Sequence, residues 1–298
     1  MWLYISKNNK IFYYLLSALL LAVILIWLSV FQFSPASIFR AGKQPELKVD
    51  FFDVGQGNAV FIEAPNKNQV LIDGGPGSQI LNKLGSEMPF FDRNIDIVVL
   101  THPDADHLNG LIDVLQKYDV GEVIDPCIND STAAYQEWLR LIEEKKIKRL
   151  CAQAGQKIKL AENTEMDILY PLKSLVGMSF KNTNDSSIVA KLKNGENSII
   201  LTGDAEEKTE YQLINSGTDV RAQILQVGHH GSKSSTSEEF LKAINPETAI
   251  IQVGLKNRYG HPHQQTLDRL KNIGAKIFRT DLDGDIGFLC DASRCVKQ

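Results

Sequence analysis

Apolar side chains fill residues 11–33 with only Ser17, Ser29 and Gln32 interrupting them. At about 1.5 Å per residue, a helix of that length crosses a bilayer core with room for tilt. The pattern predicts a tail at 1–10, one N-terminal transmembrane anchor at 11–33 and a linker at 34–45, where Ser, Pro, Gly and Lys break any periodicity. A cleavable signal peptide would carry a shorter apolar region of roughly 7 to 15 residues, and the small-residue site near Ala36 matches one poorly.

From residue 46 to 298 the patterning changes to short alternating or wholly apolar runs separated by Gly-containing breaks. Strands are predicted at 47–54, 58–64 and 69–73, and a strand buried on both faces at 95–100, which stops at Thr101. Helical spacing follows at 108–118 and 132–144, with a short strand at 122–124 between them. The second half repeats the design, with strands at 166–170, 187–192, 198–201, 223–227, 249–253, 276–279 and 286–289 and helices at 205–215, 237–243 and 264–272. Strand-rich stretches with helices in both halves predict an α/β domain, two sheets face to face with helices outside, an αββα sandwich.

Composition adds little to this picture. About 250 residues suffice for one full core, and the net charge of −4 provides no basic field for nucleic acid, so an anionic substrate must be held locally. The one basic run, 145–149, follows Glu143 and Glu144 and reads as a solvated helix end. Charges on both sides of the apolar segment, Lys7 and Lys10 before it and Arg40, Lys43 and Lys48 after it, leave its orientation open. Cys290 and Cys295 lie close enough to bridge a terminal turn, while disulfide and buried thiol both remain available to the four cysteines. A disulfide requires export, so the expected place of the domain is outside the cytoplasm.

The chemistry is concentrated in the histidines. All six fall in three pairs, His102 with His107, His229 with His230, and His261 with His263. A lone histidine is more often a surface or core residue than a ligand, but three clusters after strand-like segments point to a shared site. In the loop His102-Pro103-Asp104-Ala105-Asp106-His107, His102 and Asp104 project together from an extended segment towards one cation, and Asp106 and His107 face a second. A helix cap would account for one aspartate and neither histidine. Asp204 ends an apolar strand, and Gly203 permits the close approach that a carboxylate bridging two ions needs. His230 is assigned to metal and His229 to substrate or to support of the ligands; His261 is placed as a general acid or phosphate contact, and His263 as the start of a helix.

The 102–107 stretch resembles the His-x-His-x-Asp-His loop of metallo-β-lactamase-fold hydrolases, with Asp104 where the second histidine stands. Further motifs resemble the ComEC branch of competence-type DNA-uptake proteins over nearly all of 49–287: Phe52-Asp53-Val54-Gly55-Gln56-Gly57, Leu71-Ile72-Asp73-Gly74-Gly75, Asn184-Asp185-Ser186-Ser187, Thr202-Gly203-Asp204, His229-His230-Gly231-Ser232-Lys233 and Tyr259-Gly260-His261-Pro262. The resemblance implies the metallo-β-lactamase fold, two divalent ions on His102, Asp104, Asp106, His107, Asp204 and His230, and catalytic parts for Asp106, His229 and His261. It also implies supporting or substrate-contacting parts for Asp53, Asp73, Asn184, Ser187 and Lys233. Asn58 stands where that family has an aspartate, and the usual histidine between the first cluster and Asp204 is absent. The carboxylate at 104 shifts the expected metal towards Mn2+ without excluding Zn2+.

The implied substrate is a phosphodiester, foremost single-stranded DNA; a phosphorylcholine-bearing wall or lipid polymer is the alternative, and a non-catalytic metal-held binding module is a third reading of another class. Nothing in the sequence names a protein partner.

Overall fold

The computed structural model describes residues 7–30 and 46–298. The expected linker at 34–45 and the last part of the expected anchor, 31–33, lie outside the described residues. Helix α1 (Lys7–Val30) stands as a unit by itself. Its described side chains, Phe12 to Ile24, are exposed and mostly apolar. Among the described residues no helix is long and apolar enough to cross a membrane.

The domain is built from strands β1 (Leu47–Phe51), β2 (Val60–Glu63), β3 (Gln69–Ile72), β4 (Asn94–Val99), β5 (Asp119–Asp125), β6 (Lys148–Cys151), β7 (Lys157–Ala161), β8 (Thr164–Tyr170), β9 (Val189–Asn194), β10 (Asn197–Leu201), β11 (Ile224–Gln226), β12 (Thr248–Ile251), β13 (Lys276–Arg279), β14 (Ile286–Cys290) and β15 (Cys295–Lys297). One sheet runs β15-β14-β1-β2-β3-β4-β5-β6 and the other β13-β12-β11-β10-β9-β8-β7.

Three apolar clusters define the layers. Val49, Phe51, Ile62 and Ile72 meet Leu192, Ile199 and Ile250 between the sheets. The outer face of the first sheet is covered by α2 (Gln79–Glu87), α3 (Ala105–Lys117) and α4 (Ala133–Glu144) through Leu84, Leu111 and Trp138. The second is covered by α5 (Glu207–Asn215), α6 (Glu238–Ile244) and α7 (Gln264–Asn272) through Leu213, Phe240 and Leu270. This is the expected αββα order, and sheets whose two faces are both apolar require it.

Differences from the sequence reading occur at weakly patterned segments. Helix α2 presents only Ile80 and Leu84 as buried apolar positions, and Ser78 makes no side-chain cap. Strands β6 and β7 are edge strands whose lysines and Arg149 hide the alternation. The basic run at 145–149 is therefore not a solvated helix end throughout, because Arg149 donates from Nε and Nη2 to the fully buried Asp125, both at 2.9 Å. Trp138 Nε1 and the Cys127 backbone N–H complete that carboxylate's bonds, so a charge taken out of water is fully paired. The cysteines form two disulfides, Cys127–Cys151 and Cys290–Cys295. The first ties the loop after β5 to the end of β6.

Candidate metal centre

Parallel pairing of β3 with β4 and of β10 through β12 brings several strand ends to one edge of the sandwich. Asp73 follows β3, His102 follows β4, Asp204 follows β10, His230 follows β11 and Gln252 follows β12. Chain segments more than a hundred residues apart are thus joined in one site.

Glycines allow the loops to touch. A Cβ on Gly110 would lie 1.9 Å from the Gly74 carbonyl oxygen, and one on Gly203, whose φ is +52°, would lie 2.9 Å from Thr101.

His102, His107 and Asp204 lie together in one group, and Asp106, His107 and His230 in a second. Asp204 stands between them: its Oδ1 is 3.2 Å from His107 Nε2 and its Oδ2 is 3.4 Å from His230 Nε2. His230 Nε2 is also 3.2 Å from Asp106 Oδ2. Asp104 lies at the margin, its Oδ2 3.7 Å from His102 Nε2, and its other oxygen accepts from the Thr183 hydroxyl. It occupies the position before α3 without making a side-chain cap bond, so no helix N–H claims its carboxylate. Asp204 is not a cap either, because α5 starts after Glu206.

The outer nitrogens of the three ligand imidazoles are held by hydrogen bonds. His107 Nδ1 donates to Asp73 Oδ2 at 2.7 Å and His230 Nδ1 to the Gln252 carbonyl at 2.9 Å. The Thr101 hydroxyl spends its proton on Asp73 at 2.8 Å, so towards His102 Nδ1, 3.1 Å away, it accepts. With protons on all three Nδ1 atoms, the Nε2 lone pairs face inward. His102 Nε2, His107 Nε2, His230 Nε2 and Asp204 Oδ1 are buried without a hydrogen-bond partner. Buried polar atoms left unpaired are costly, and four converging on one space are what a bound cation satisfies. The donor set of imidazole and carboxylate fits a divalent metal such as Zn2+ or Mn2+.

The electrostatics agree. Burial works against charge on His107, but the Asp204 and Asp73 carboxylates outweigh it and lift its pKa well above the ordinary value. Burial likewise opposes charge on Asp204, and His230 and His107 overcome it and hold the carboxyl well below the usual range. Asp106 is lowered to about 2, mainly by His230 and His107 acting against its burial. A space that holds a proton this way also attracts a cation.

His229 and His230 are consecutive residues with φ of 47° and 53°, a backbone conformation that side chains rarely adopt. His229 borders the site from the side, bonded to Glu206 at 3.2 Å, with Nε2 3.8 Å from Asp204. Its Nδ1 also lies 3.4 Å from the Asn184 amide. Its ring is 5.4 Å from that of His261. Burial and the neighbouring His229, His230 and His263 lower His261 to about 4, and its Nδ1 is buried without a hydrogen-bond partner. His263 stands at the position before α7, at the start of that helix as expected, without a side-chain cap bond.

Ser187 accepts from the Asp204 N–H at 3.3 Å, and Asp73 accepts three bonds beneath the ligand loop. Asp53 does not join them. Its carboxylate accepts from Gly55 N in its own turn, two residues away, which a strand-end aspartate beside glycine can do without reaching the site. Lys233 is exposed beside the site. Thr101, Thr183, Glu206 and Gln252 were not among the candidates from sequence. Thr101 and Glu206 could have been found by their adjacency to His102 and Asp204, whereas Gln252 acts through its backbone carbonyl, which leaves no mark on residue type.

A two-sheet sandwich with such a centre at its edge defines a metallohydrolase, and the comparison with known proteins agrees. The family model described as "Metallo-beta-lactamase superfamily" matches residues 52–254, and the chain belongs to that superfamily. It is 32% identical over 261 residues to "ComE operon protein 3" of Bacillus subtilis, covering 82% of this chain and 33% of that protein. "Recombination protein 2" of Haemophilus influenzae is 31% identical over 253 residues, covering 84% and 29%. "Competence protein ComA" of Neisseria gonorrhoeae is 28% identical over 252 residues, covering 84% and 33%. These relatives bear out the ComEC-type resemblance, and the chain spans about a third of their length. The metallo-β-lactamase fold protein YhfI of Bacillus subtilis superposes with a TM-score of 0.54 over 85% of this chain and 100% of that one; at 11% identity this likeness shows the fold alone.

Proposed function

We propose that the protein is a membrane-anchored phosphodiesterase that uses two divalent ions to cut DNA, single-stranded DNA foremost. The observation that carries this reading is the set of four buried, unpartnered ligand atoms on His102, His107, His230 and Asp204, with Asp204 between two ligand groups. A structural metal site is closed by its protein ligands, while this one adjoins His229, His261 and the exposed Lys233. Two ions held there supply Lewis acidity towards a phosphoryl oxygen and bring the pKa of a water near neutrality. The protein's own part is to fix the ligands from behind through Asp73, Thr101 and Gln252 and to offer His229 and His261 as hydrogen-bonding groups towards a phosphate. The resemblance to competence-type DNA-uptake proteins, with relatives named as competence and recombination proteins, favours DNA over other phosphodiesters.

The apolar run at 11–33 and the exposed apolar side chains of α1 support the anchor, and the two disulfides support a domain outside the cytoplasm. Resistance of the full chain to alkaline extraction from membranes tests the anchor; release into the soluble fraction refutes it.

The activity is tested on the full chain in detergent with Mn2+ or Zn2+, using single-stranded DNA beside a phosphorylcholine ester, and His102→Ala and Asp204→Ala as controls. DNA cleavage lost in both variants supports the nuclease. Cleavage of the ester alone transfers the assignment to phosphorylcholine polymers, and no cleavage of either favours a metal-held binding module.

A further inference from the structure

Beyond the metal ligands, a line of rings leads out of the site. The His230 and His261 centroids are 6.3 Å apart, and Tyr259 stacks on His261 at 5.8 Å with 25° between the planes. Tyr259 is about half exposed, at 49%. Its outer neighbour Arg258 lies over the ring at 5.0 Å and donates from Nη2 to the tyrosine hydroxyl at 2.9 Å.

An exposed aromatic ring on an irregular loop is ordinarily mobile, but this loop is braced. Asn257 Oδ1 accepts from the N–H groups of Tyr259 and His261 at 3.1 and 3.0 Å, and its Nδ2 donates to the carbonyls of Gly254 and His261 at 3.0 and 2.6 Å. The backbone that carries the ring is therefore set before any ligand arrives, which lowers the ordering cost of binding.

We infer that Tyr259, backed by Arg258, is a nucleobase-stacking platform that seats a base of a single strand beside the scissile phosphate. The inference rests on the phosphodiesterase reading and narrows its substrate to a polynucleotide with unpaired bases. Every base has a π-face, so stacking accepts any sequence while still requiring a base. The guanidinium decides between ligands that an aromatic ring can hold: it stacks with a neutral base and draws the strand's phosphates, and it repels the quaternary ammonium of phosphorylcholine, which would otherwise seek the same ring.

The test measures KM and kcat of the full chain with Mn2+ on an oligothymidylate and on an abasic strand of equal length, for the wild type, Tyr259→Ala and Tyr259→Phe. Expected is a rise in KM for oligothymidylate of about five- to a hundredfold in Tyr259→Ala, with the abasic strand unaffected and Tyr259→Phe like the wild type. The inference is overturned if Tyr259→Ala changes both strands equally or neither, or if it impairs only a phosphorylcholine ester. A wild type that cleaves a phosphorylcholine ester and neither strand overturns the nuclease reading itself. Wild-type cleavage of both strands with an inert Tyr259→Ala leaves the nuclease standing and removes only the platform.

Discussion

Asp73 Oδ2 accepts the Nδ1 proton of His107 at 2.7 Å, and the same carboxylate takes both the N–H and the hydroxyl of Thr101, each at 2.8 Å. One buried group thus sets the tautomer of one ligand and, through Thr101, the orientation of another. Replacement by asparagine keeps the shape and removes the charge. Asp73→Asn is expected to weaken metal binding by about 10- to 100-fold, read by competition with a chelator. Unchanged affinity with a normal melting temperature would falsify the orienting role.

Asp104 sits where an imidazole would make the site richer in nitrogen, and its exposed edge leaves room for one. Asp104→His should raise the activity with Zn2+ relative to Mn2+ by about tenfold, the scale on which one ligand exchange registers. A ratio that does not move would mean that residue 104 contacts no metal.

Asp50 is buried on β1, 3.3 Å from Lys48. Burial raises its carboxyl to about 6, with Lys48 only partly offsetting the effect. A raised acid pKa means that the folded domain holds the proton more tightly than the unfolded chain does. The associated stability is therefore complete below about pH 4, the ordinary aspartate range, and is lost as the pH climbs through about 6. Asp50→Asn should be more stable than the wild type by roughly 2 kcal/mol at about pH 8, and the two should converge at about pH 4, as read from urea midpoints. A variant that is less stable at the higher pH would show that the Lys48 pair outweighs burial.

The Cys127–Cys151 bridge closes a loop with a sequence separation of 24. Cys127→Ser with Cys151→Ser should lower unfolding stability by about 3 kcal/mol, through the freedom returned to the unfolded chain. The metal content should be retained, because neither cysteine belongs to a ligand group. Loss of metal together with stability would tie this distant loop to the centre.

Much of the fold was legible because local periodicity reports burial directly. Helix Gln264–Asn272 and strand Lys276–Arg279 lie where the pattern put them. Strands β6 and β7 were missed because edge strands may carry charge on both faces, which erases the alternation. The candidate ligand groups bring together residues that the histidine clusters had singled out, His102, His107 and His230, with Asp106 and Asp204.

What sequence alone determined is therefore the layered class of the fold, the ligand residue types and the motifs that carry the family resemblance. Only the tertiary structure decided which atoms meet. It set Asp204 between His107 and His230, turned three Nε2 atoms inward, gave Asp73 but not Asp53 the supporting role, and paired Arg149 with Asp125. The reason is physical: residue type and spacing encode propensity and burial along the chain, whereas a metal centre depends on distances between strand ends that sheet pairing alone brings together.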